Sequence, residues 1–155
     1  MEALRQILYR SMSRVAVTDR VLLDIQAASA RNNPGRRISG FLLYRSGLFV
    51  QYLEGPAPTV EYTLSRVIRD GRHHDLVMLA DEISSTRLVG SWHMMVMNME
   101  GMGPVSDQLL TPLSPMLRAM LSMPSLRRPE HRKLLERVER IRDGLEGAVE
   151  ARRAG

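Results

Sequence analysis

Hydrophobic periodicity changes repeatedly between the strand pattern and the helix pattern in the first hundred residues, and this order restricts the fold most strongly. Strands are predicted at residues 4–11, 38–44, 48–53, 76–80 and 92–98. Thr18 is predicted to cap a first helix that stops near Asn33, before Pro34. Thr59 is predicted to cap a second helix that ends near residues 70–71.

The resulting order, βαββαββ, predicts an α+β fold of the ferredoxin-like type. Two right-handed crossovers place the first and third strands side by side at the sheet centre, with both helices on one face. Residues 1–100 are therefore expected to form one domain. Residues 101–155 are expected to be a C-terminal helical extension and not an independent domain.

The extension is predicted to contain a linker at 101–106, helices at 107–123 and 130–151, and a loop at 124–129. Apolar residues on the last helix alternate in steps of four and three, which predicts a narrow contact seam. The seam comprises Leu134, Val138, Ile141, Leu145 and Ala148.

Composition excludes several classes of site. The chain has no cysteine, which removes disulfides, thiolate catalysis and cysteine metal ligands. The four histidines lack metal-ligand spacing, so no metal is expected. The net charge of +5 is spread evenly, which is typical of a solvated surface and makes nucleic-acid binding unlikely. No apolar run is long enough to span a membrane and no secretory signal is evident, so a cytoplasmic protein is expected.

Polar residues on otherwise apolar faces indicate a ligand site. Ser29, Asn32 and Asn33 share the face of the first helix that carries Ile25. Asn33 alone could serve merely to end the helix. The three together favour a ligand.

Tyr9 and Gln51 are a second exception to the apolar pattern, because both lie on central strands whose neighbouring positions are apolar. The two residues can be neighbours across the sheet. A buried glutamine needs several hydrogen-bond partners and a buried tyrosine hydroxyl needs one. Either they form a purely structural pair, or both reach a flat polar ligand held between the helices.

Six segments combine these polar residues with their neighbours: Tyr9-Arg10-Ser11, Asn32-Asn33, residues 38–44, the F-x-Q-x-L-E-G segment 49–55, Asp70-Gly71-Arg72-His73, and Ser91-Trp92-His93-Met94. These segments resemble those of the BLUF family of flavin-binding blue-light sensors. They occur in the family's order and cover residues 4 to about 98. Ser39 and Gly71 are mild departures, and neither touches a flavin-contacting role.

The resemblance implies an oxidised flavin, FAD with FMN or riboflavin as alternatives, held non-covalently between the two helices. Asn33 would bind the flavin carbonyl and N3 edge, and Asn32 its second carbonyl. The other implied flavin-binding residues are Tyr9, Ile25, Ser29, Leu42, Gln51, Val67, Asp70, Arg72 and His73.

The resemblance also implies a photochemical mechanism. Tyr9 would donate an electron to the light-excited flavin, and a proton would follow through Gln51. The Gln51 amide would end rearranged, which shifts flavin absorption to the red. Trp92 and Met94 are predicted to share a strand face near Gln51, although core packing also explains them. The chain is thus expected to be a photoreceptor and not an enzyme, signalling through an unidentified downstream protein or a second copy of itself.

Two other functions fit the predicted fold. A small acylphosphatase-like hydrolase could recruit Arg10 and Asn33, but residues 11–15 lack the glycine that a phosphate cradle requires. An interaction or nucleic-acid-binding module would display aromatic residues on the open sheet face, and aromatics make up only 5% of the chain.

Overall fold

The computed structural model describes residues 2–90, 92–100 and 116–133, together with 135–136, 139–140, 143, 147 and 153–155. The chain forms two compact units, Met1–Gly101 and Met102–Gly155. The elements of the first unit are β1 Leu4–Ser13, α1 Asp19–Arg36, β2 Ser39–Arg45, β3 Leu48–Pro56, α2 Ala57–Arg69, β4 His73–Ser84 and β5 Met95–Asn98. Of the helices that the structure describes, none is long and apolar enough to cross a membrane.

A five-stranded sheet organises the first unit, with the strand order β4-β1-β3-β2-β5. β1 pairs antiparallel with both β3 and β4, and β3 pairs antiparallel with β2. β5 pairs with β2 in parallel, which is possible because the chain passes from one edge of the sheet at β4 to the other edge at β5. The α+β, ferredoxin-like prediction is confirmed, including the adjacent central positions of the first and third strands.

The core of this unit lies between one face of the sheet and both helices. Strand residues such as Ile7 and Leu53 pack there against Leu22 of α1 and against Val60 and Leu64 of α2. Burying these side chains contributes roughly 1.5–3 kcal/mol each, which explains why the helices lie on this face. Both helices therefore border one layer, and the polar residues on their inner faces are brought towards the sheet.

Helix α1 begins as predicted but extends further than predicted. The Thr18 side chain accepts a hydrogen bond from Val21 N, so Thr18 is the N-cap. The predicted stop near Asn33 is wrong, because the helix continues through Pro34 to Arg36. Pro34 lies in the last turn, where its missing N–H costs one bond without breaking the helix. Arg37, in the left-handed conformation at φ 55°, then closes the helix.

Strand β3 and helix α2 follow each other directly, without the gap between the predicted strand at 48–53 and the predicted cap at Thr59. β3 runs through Gly55 to Pro56, because both residues still pair with the start of β1. Thr59 is not an N-cap: α2 begins at Ala57, and the Thr59 hydroxyl donates to Pro56 O at 2.9 Å. Pro58 is tolerated because the first helical turn needs no N–H donors there.

The outer strands differ from their predicted limits. β4 is longer than the predicted 76–80, since pairing with β1 extends it in both directions. β5 is shorter than the predicted 92–98, and Trp92 and Met94 precede it. The hairpin between β2 and β3 turns at Ser46 and Gly47, both with positive φ, as its two-residue turn requires.

The second unit is described in part. Residues 116–122 are helical, within the predicted third helix, and the rest of that prediction lies outside the described residues. The predicted loop at 124–129 is wrong, because short 3₁₀ helices occupy Pro124–Arg127 and Pro129–His131. The predicted linker at 101–106 and all five seam residues of the last helix lie outside the described residues.

Candidate functional site

A cavity of about 570 Å³ opens between the two helices and the sheet in the first unit. It is lined by side chains of α1, α2, the three middle strands and the turn that precedes β4. The eleven residues predicted to bind a cofactor all line it: Tyr9, Ile25, Ser29, Asn32, Asn33, Leu42, Gln51, Val67, Asp70, Arg72 and His73. The structure therefore brings together residues that are separated by up to 64 positions in the sequence.

Tyr9 and Gln51 face each other in the register of β1 and β3. The Tyr9 hydroxyl donates a hydrogen bond to Gln51 Oε1, and both side chains are buried. The pairing of β1 with β4 shifts between Leu8 and Tyr9, an irregularity of the kind that re-aims side chains near sites. Burial, followed by the charge of Asp70, raises the pKa of Tyr9 well above its usual value near 10. Tyr9 thus stays protonated at neutral pH.

Met94 is the second partner of Gln51. Gln51 Nε2 donates to Met94 Sδ at 3.6 Å, and Met94 is buried at the cavity. A thioether sulfur is a weak acceptor, so this bond holds the amide loosely. Trp92, the other residue predicted near Gln51, is half-buried and is absent from the cavity lining among the described residues.

The amides of α1 differ in exposure. Asn33 is buried and donates through Nδ2 to His93 O at 2.5 Å, which ties the end of α1 to the segment before β5. Asn32 is exposed and Ser29 half-buried, although both line the cavity. The end of α1 thus presents amide donors and acceptors at different depths along one wall.

The turn between α2 and β4 holds a charged pair. Arg72 Nε donates to Asp70 Oδ1 at 3.0 Å and Arg72 Nη2 to Asp70 Oδ2 at 2.5 Å. The hydrogen bond from Arg72 lowers the pKa of Asp70 below its usual value. The carboxylate therefore stays ionised at the cavity and contributes to the raised pKa of Tyr9.

His73 is fixed by two partners on different elements. Its Nε2 lies 2.5 Å from Val67 O, a carbonyl that can only accept, so Nε2 carries a proton. Its Nδ1 lies 2.8 Å from the buried Ser11 hydroxyl. The ring joins α2 to β1 and closes one side of the cavity.

Sequence reasoning missed three cationic lining residues, Arg36, Arg66 and Arg69. The Arg36 guanidinium lies 4.9 Å from the centre of the Tyr62 ring, which Arg66 also approaches at 5.9 Å. Arg36 lies three and four positions after Asn33 and Asn32, on the same helix face. The spacing would have identified Arg36 as a site residue if the helix had not been predicted to end before Pro34. Other lining residues not predicted for flavin binding are Ser11, Ala28, Phe49, Leu53 and Thr63.

The lining fits a flat, polar aromatic ligand such as a flavin. Ile25, Leu42 and Val67 provide apolar walls for a ring system. The Asn33 and Gln51 amides both donate and accept, as a ring edge with carbonyl and N–H groups requires. The volume is in the range of sites for small molecules and cofactors.

Comparison with known proteins agrees with this chemistry. The curated relatives include the photoactivated adenylate cyclase subunit alpha of Euglena gracilis, 31% identical over 93 residues, which are 59% of this chain and 9% of the relative. They also include subunit beta of Euglena longa, 29% identical over 93 residues, or 59% of this chain and 11% of the relative. The chain thus spans only about a tenth of the length of these relatives.

Solved structures give the same result. The dark-state structure of BlrB, a BLUF protein, is 28% identical with a TM-score of 0.63, over 89% of this chain and 96% of that one. A bacterial light-regulated adenylyl cyclase shares the fold, with a TM-score of 0.63 at 24% identity, over 86% of this chain and 36% of that one. The family model described as sensors of blue-light using FAD matches residues 4–95. The chain therefore belongs to the BLUF family of blue-light sensors that bind a flavin.

Proposed function

We propose that this chain senses blue light with a flavin bound between α1 and α2, and that Tyr9 and Gln51 are its photoactive pair. The observation that carries the proposal is the buried hydrogen bond from the Tyr9 hydroxyl to Gln51 Oε1 at the cavity wall. When bound, the flavin supplies a light-activated oxidant. The protein side chains supply the electron, the proton and the change of hydrogen bonds.

The state of Tyr9 suits an electron and proton donor. It is protonated, because burial raises its pKa, and its hydroxyl already points its proton at Gln51. Loss of an electron makes a phenol strongly acidic, so the proton can pass along this bond. Both return to Tyr9 at the end, so no substrate is consumed.

The state of Gln51 suits a switch. Its two protein bonds use one acceptor position and one donor position of an amide that has four. Rotation of the amide turns Nε2 towards Tyr9 and Oε1 towards Met94, whereas tautomerisation leaves both atoms in place and makes the oxygen a donor. In either case the bond to sulfur is weak, so its loss costs little free energy. Asn33 and Asn32 would hold the polar ring edge meanwhile.

The test is a visible spectrum of the purified protein before and after blue light. We expect bound flavin and a small, reversible red shift without bleaching. Tyr9→Phe and Gln51→Leu should each abolish the shift while flavin stays bound. Tyr44→Phe is the matched control, because Tyr44 is a buried tyrosine that belongs to the core and not to the cavity lining. A normal shift in both site variants, or a protein that takes up no flavin, contradicts the proposal.

We further propose that the flavin carries phosphate, with FAD as the natural cofactor and FMN preferred to riboflavin. Four arginines, Arg36, Arg66, Arg69 and Arg72, line the cavity. Arg72 is paired with Asp70, and Arg36 and Arg66 lie against the Tyr62 ring. Guanidinium groups bind phosphate oxygens through strong charge-assisted hydrogen bonds.

Titration of the flavin-depleted protein with FAD, FMN and riboflavin tests this choice. We expect FAD and FMN to bind at least about tenfold more tightly than riboflavin, which corresponds to about 1.4 kcal/mol. Arg66→Gln should reduce the preference, whereas Arg31→Gln, on the exposed side of α1, should not. Equal affinities for FMN and riboflavin would overturn this part of the proposal and leave flavin binding itself intact.

We propose that the signal leaves through protein–protein contact, beginning at the segment that contains Met94 and β5. Met94 bonds to Gln51, and β5 follows it directly as a short edge strand. Hydrogen exchange in darkness and under blue light is expected to differ over residues 92–98 and 107–151. Identical exchange in both segments, with the flavin shift intact, would show that the signal leaves elsewhere.

A further inference from the structure

Glu54 is a fully buried carboxylate on β3 that lies outside the cavity lining. Its Oε1 accepts from the Ser39 hydroxyl at 2.9 Å and from Val89 N at 2.9 Å. Its Oε2 accepts from the Tyr52 hydroxyl at 2.8 Å and from Leu88 N at 2.7 Å. Four donors thus surround one carboxylate, an arrangement that stabilises buried charge without a direct ion pair.

Two of these donors are backbone N–H groups of the connection between β4 and β5. The same connection is attached a second time through Arg87, whose Nη1 donates to Ser39 Oγ at 2.8 Å. Arg87 Nη2 donates to Arg37 O at 2.6 Å, at the end of α1. Residues 87–89 are therefore fixed to β2, β3 and the end of α1 together.

The next residues of the connection reach the flavin site. Trp92 N donates to Val89 O at 3.0 Å, and Gly40 N donates to Trp92 O at 2.9 Å. His93 O then accepts from Asn33, and Met94 Sδ accepts from Gln51. Two hydrogen bonds, Val89 N to Glu54 and Trp92 N to Val89 O, together with the backbone of residues 92–94 thus connect the Glu54 carboxylate to the sulfur at the Gln51 amide.

We infer that Glu54 is a positioning residue for the Gln51 switch, holding residues 87–90 and 92–94 so that Met94 stays at the amide. Gln51 and Glu54 are three positions apart on one strand, so their side chains leave opposite faces of the sheet. The Gln51–Met94 bond is too weak to position the sulfur by itself. The strong bonds at Glu54 do so from the other face. This inference rests on the proposed role of Gln51.

The direct test replaces Glu54 by glutamine, which keeps the shape but turns one acceptor oxygen into an N–H₂ donor. That donor would oppose the hydroxyl or backbone donors that now reach the carboxylate. Glu61→Gln, on the exposed face of α2, is the matched control. All measurements use the full chain loaded with flavin.

Trp92 provides a local readout, because it is the only tryptophan in the chain and lies within the positioned segment. With 5-fluorotryptophan, the dark protein should give one ¹⁹F resonance. We expect E54Q to shift or broaden it and E61Q to leave it unchanged. The light state of E54Q should also return to darkness at least about fivefold more slowly, because the dark orientation of Gln51 loses its held partner.

The outcomes separate this inference from the proposed function. An unchanged resonance together with a wild-type recovery rate in E54Q overturns the positioning role. If E54Q fails to fold, Tyr52→Phe removes one of the four donors and keeps the carboxylate, and the same changes are expected at smaller size. Their absence in Tyr52→Phe overturns the role equally. If the wild-type protein shows no red shift, the proposed function fails, while the Trp92 resonance still tests what Glu54 holds.

Discussion

Strand β3 carries two buried acceptors of tyrosine hydroxyls on its opposite faces, Gln51 and Glu54, and their surroundings differ. At the cavity, Tyr9 donates to Gln51, whose other side-chain contact is the sulfur of Met94. On the other face, Tyr52 donates to Glu54 as one of four donors to that carboxylate. Gln51 keeps part of its hydrogen-bonding capacity, whereas Glu54 is surrounded by donors.

The difference shows how one strand can contain both a side chain able to change its hydrogen-bond partners, Gln51, and a side chain that is fixed by its partners, Glu54. The Gln51 amide uses one acceptor and one donor position in the protein and keeps the rest of its capacity for another partner. The Glu54 carboxylate has four donors, and any movement would leave donors and charge unpaired. The comparison leads to predictions that separate stability from photochemistry.

The largest effect is expected for Glu54→Gln, which should lower the free energy of unfolding by about 3 kcal/mol, since it leaves buried donors without an acceptor. Gln51→Leu should cost less, about 1–2 kcal/mol, because it leaves a single neutral donor, the Tyr9 hydroxyl, without its acceptor. Urea unfolding at neutral pH with saturating flavin measures both. Glu61→Gln should stay within about 0.5 kcal/mol. Equal losses of unfolding free energy in Glu54→Gln and Gln51→Leu would contradict the view that Glu54 is held more strongly than Gln51.

Alkaline pH probes the two tyrosines together. Burial raises the pKa of Tyr9 and of Tyr52, and Glu54 raises that of Tyr52 further. Above pH 10 the unfolded chain releases these protons while the folded chain keeps them, so stability present below pH 10 is lost as pH rises. The loss should rise from about 0.7 kcal/mol per pH unit for each tyrosine at pH 10 towards about 1.4 kcal/mol per pH unit at higher pH.

Urea unfolding between pH 9.5 and 11 checks this slope, and Tyr9→Phe and Tyr52→Phe should each remove about half of it. Tyr62→Phe is the control, because Tyr62 is exposed and its pKa is lowered by the neighbouring Arg66. A slope that neither buried-site variant reduces would mean that the hydroxyls are ionised in the folded protein.

A smaller effect is expected at the Asp70–Arg72 pair. The hydrogen bond from Arg72 lowers the pKa of Asp70, so its stabilisation is present above pH 4 and is lost as pH falls through the folded value. Both side chains are partly exposed, which limits the contribution to under about 1 kcal/mol. Asp70→Asn should flatten the decline in stability below pH 4, measured by acid titration of unfolding. Glu130→Gln, at an exposed glutamate of the second unit, should leave the decline unchanged.

The smallest effect on stability is expected at the start of α1, and it serves as a reference for the larger effects. Thr18→Ala removes the N-cap of α1, where the bond from Val21 N is long, at 3.4 Å, and exposed. We expect a loss of about 0.5 kcal/mol, at the low end for caps, and an unchanged flavin shift. Thermal unfolding monitored by circular dichroism measures it. A loss as large as that of Glu54→Gln would show that burial does not govern these differences.

The sequence predicted the fold where periodicity is strong and failed where proline was given too much weight. The order of strands and helices follows from apolar spacing. Helix α1 nonetheless continues through Pro34, and β3 runs to Pro56, because tertiary pairing and the last helical turn tolerate a missing N–H. The same error hid Arg36 from the predicted site.

The candidate site and its surroundings likewise contain a part that the sequence could predict and a part that it could not. Tyr9 and Gln51 were predictable as neighbours, because polar residues on two central strands interrupt an apolar pattern. The bonds of Glu54 were not predictable, because a glutamate before Gly55-Pro56 looks like the end of a strand at a solvated turn. Its partners Leu88 and Val89 lie in a connection without periodicity. Only the folded backbone brings their N–H groups to the carboxylate.

The central position of β1 has a consequence for biosynthesis. This strand leaves the ribosome before β3 and β4, which are the strands it pairs with among those the structure describes. At typical elongation rates of about 5–20 residues per second, several seconds pass before His73–Ser84 has been made. Until then one edge of an apolar strand is exposed to chaperones and to other nascent chains. Truncations that end before β4 are therefore expected to accumulate in inclusion bodies.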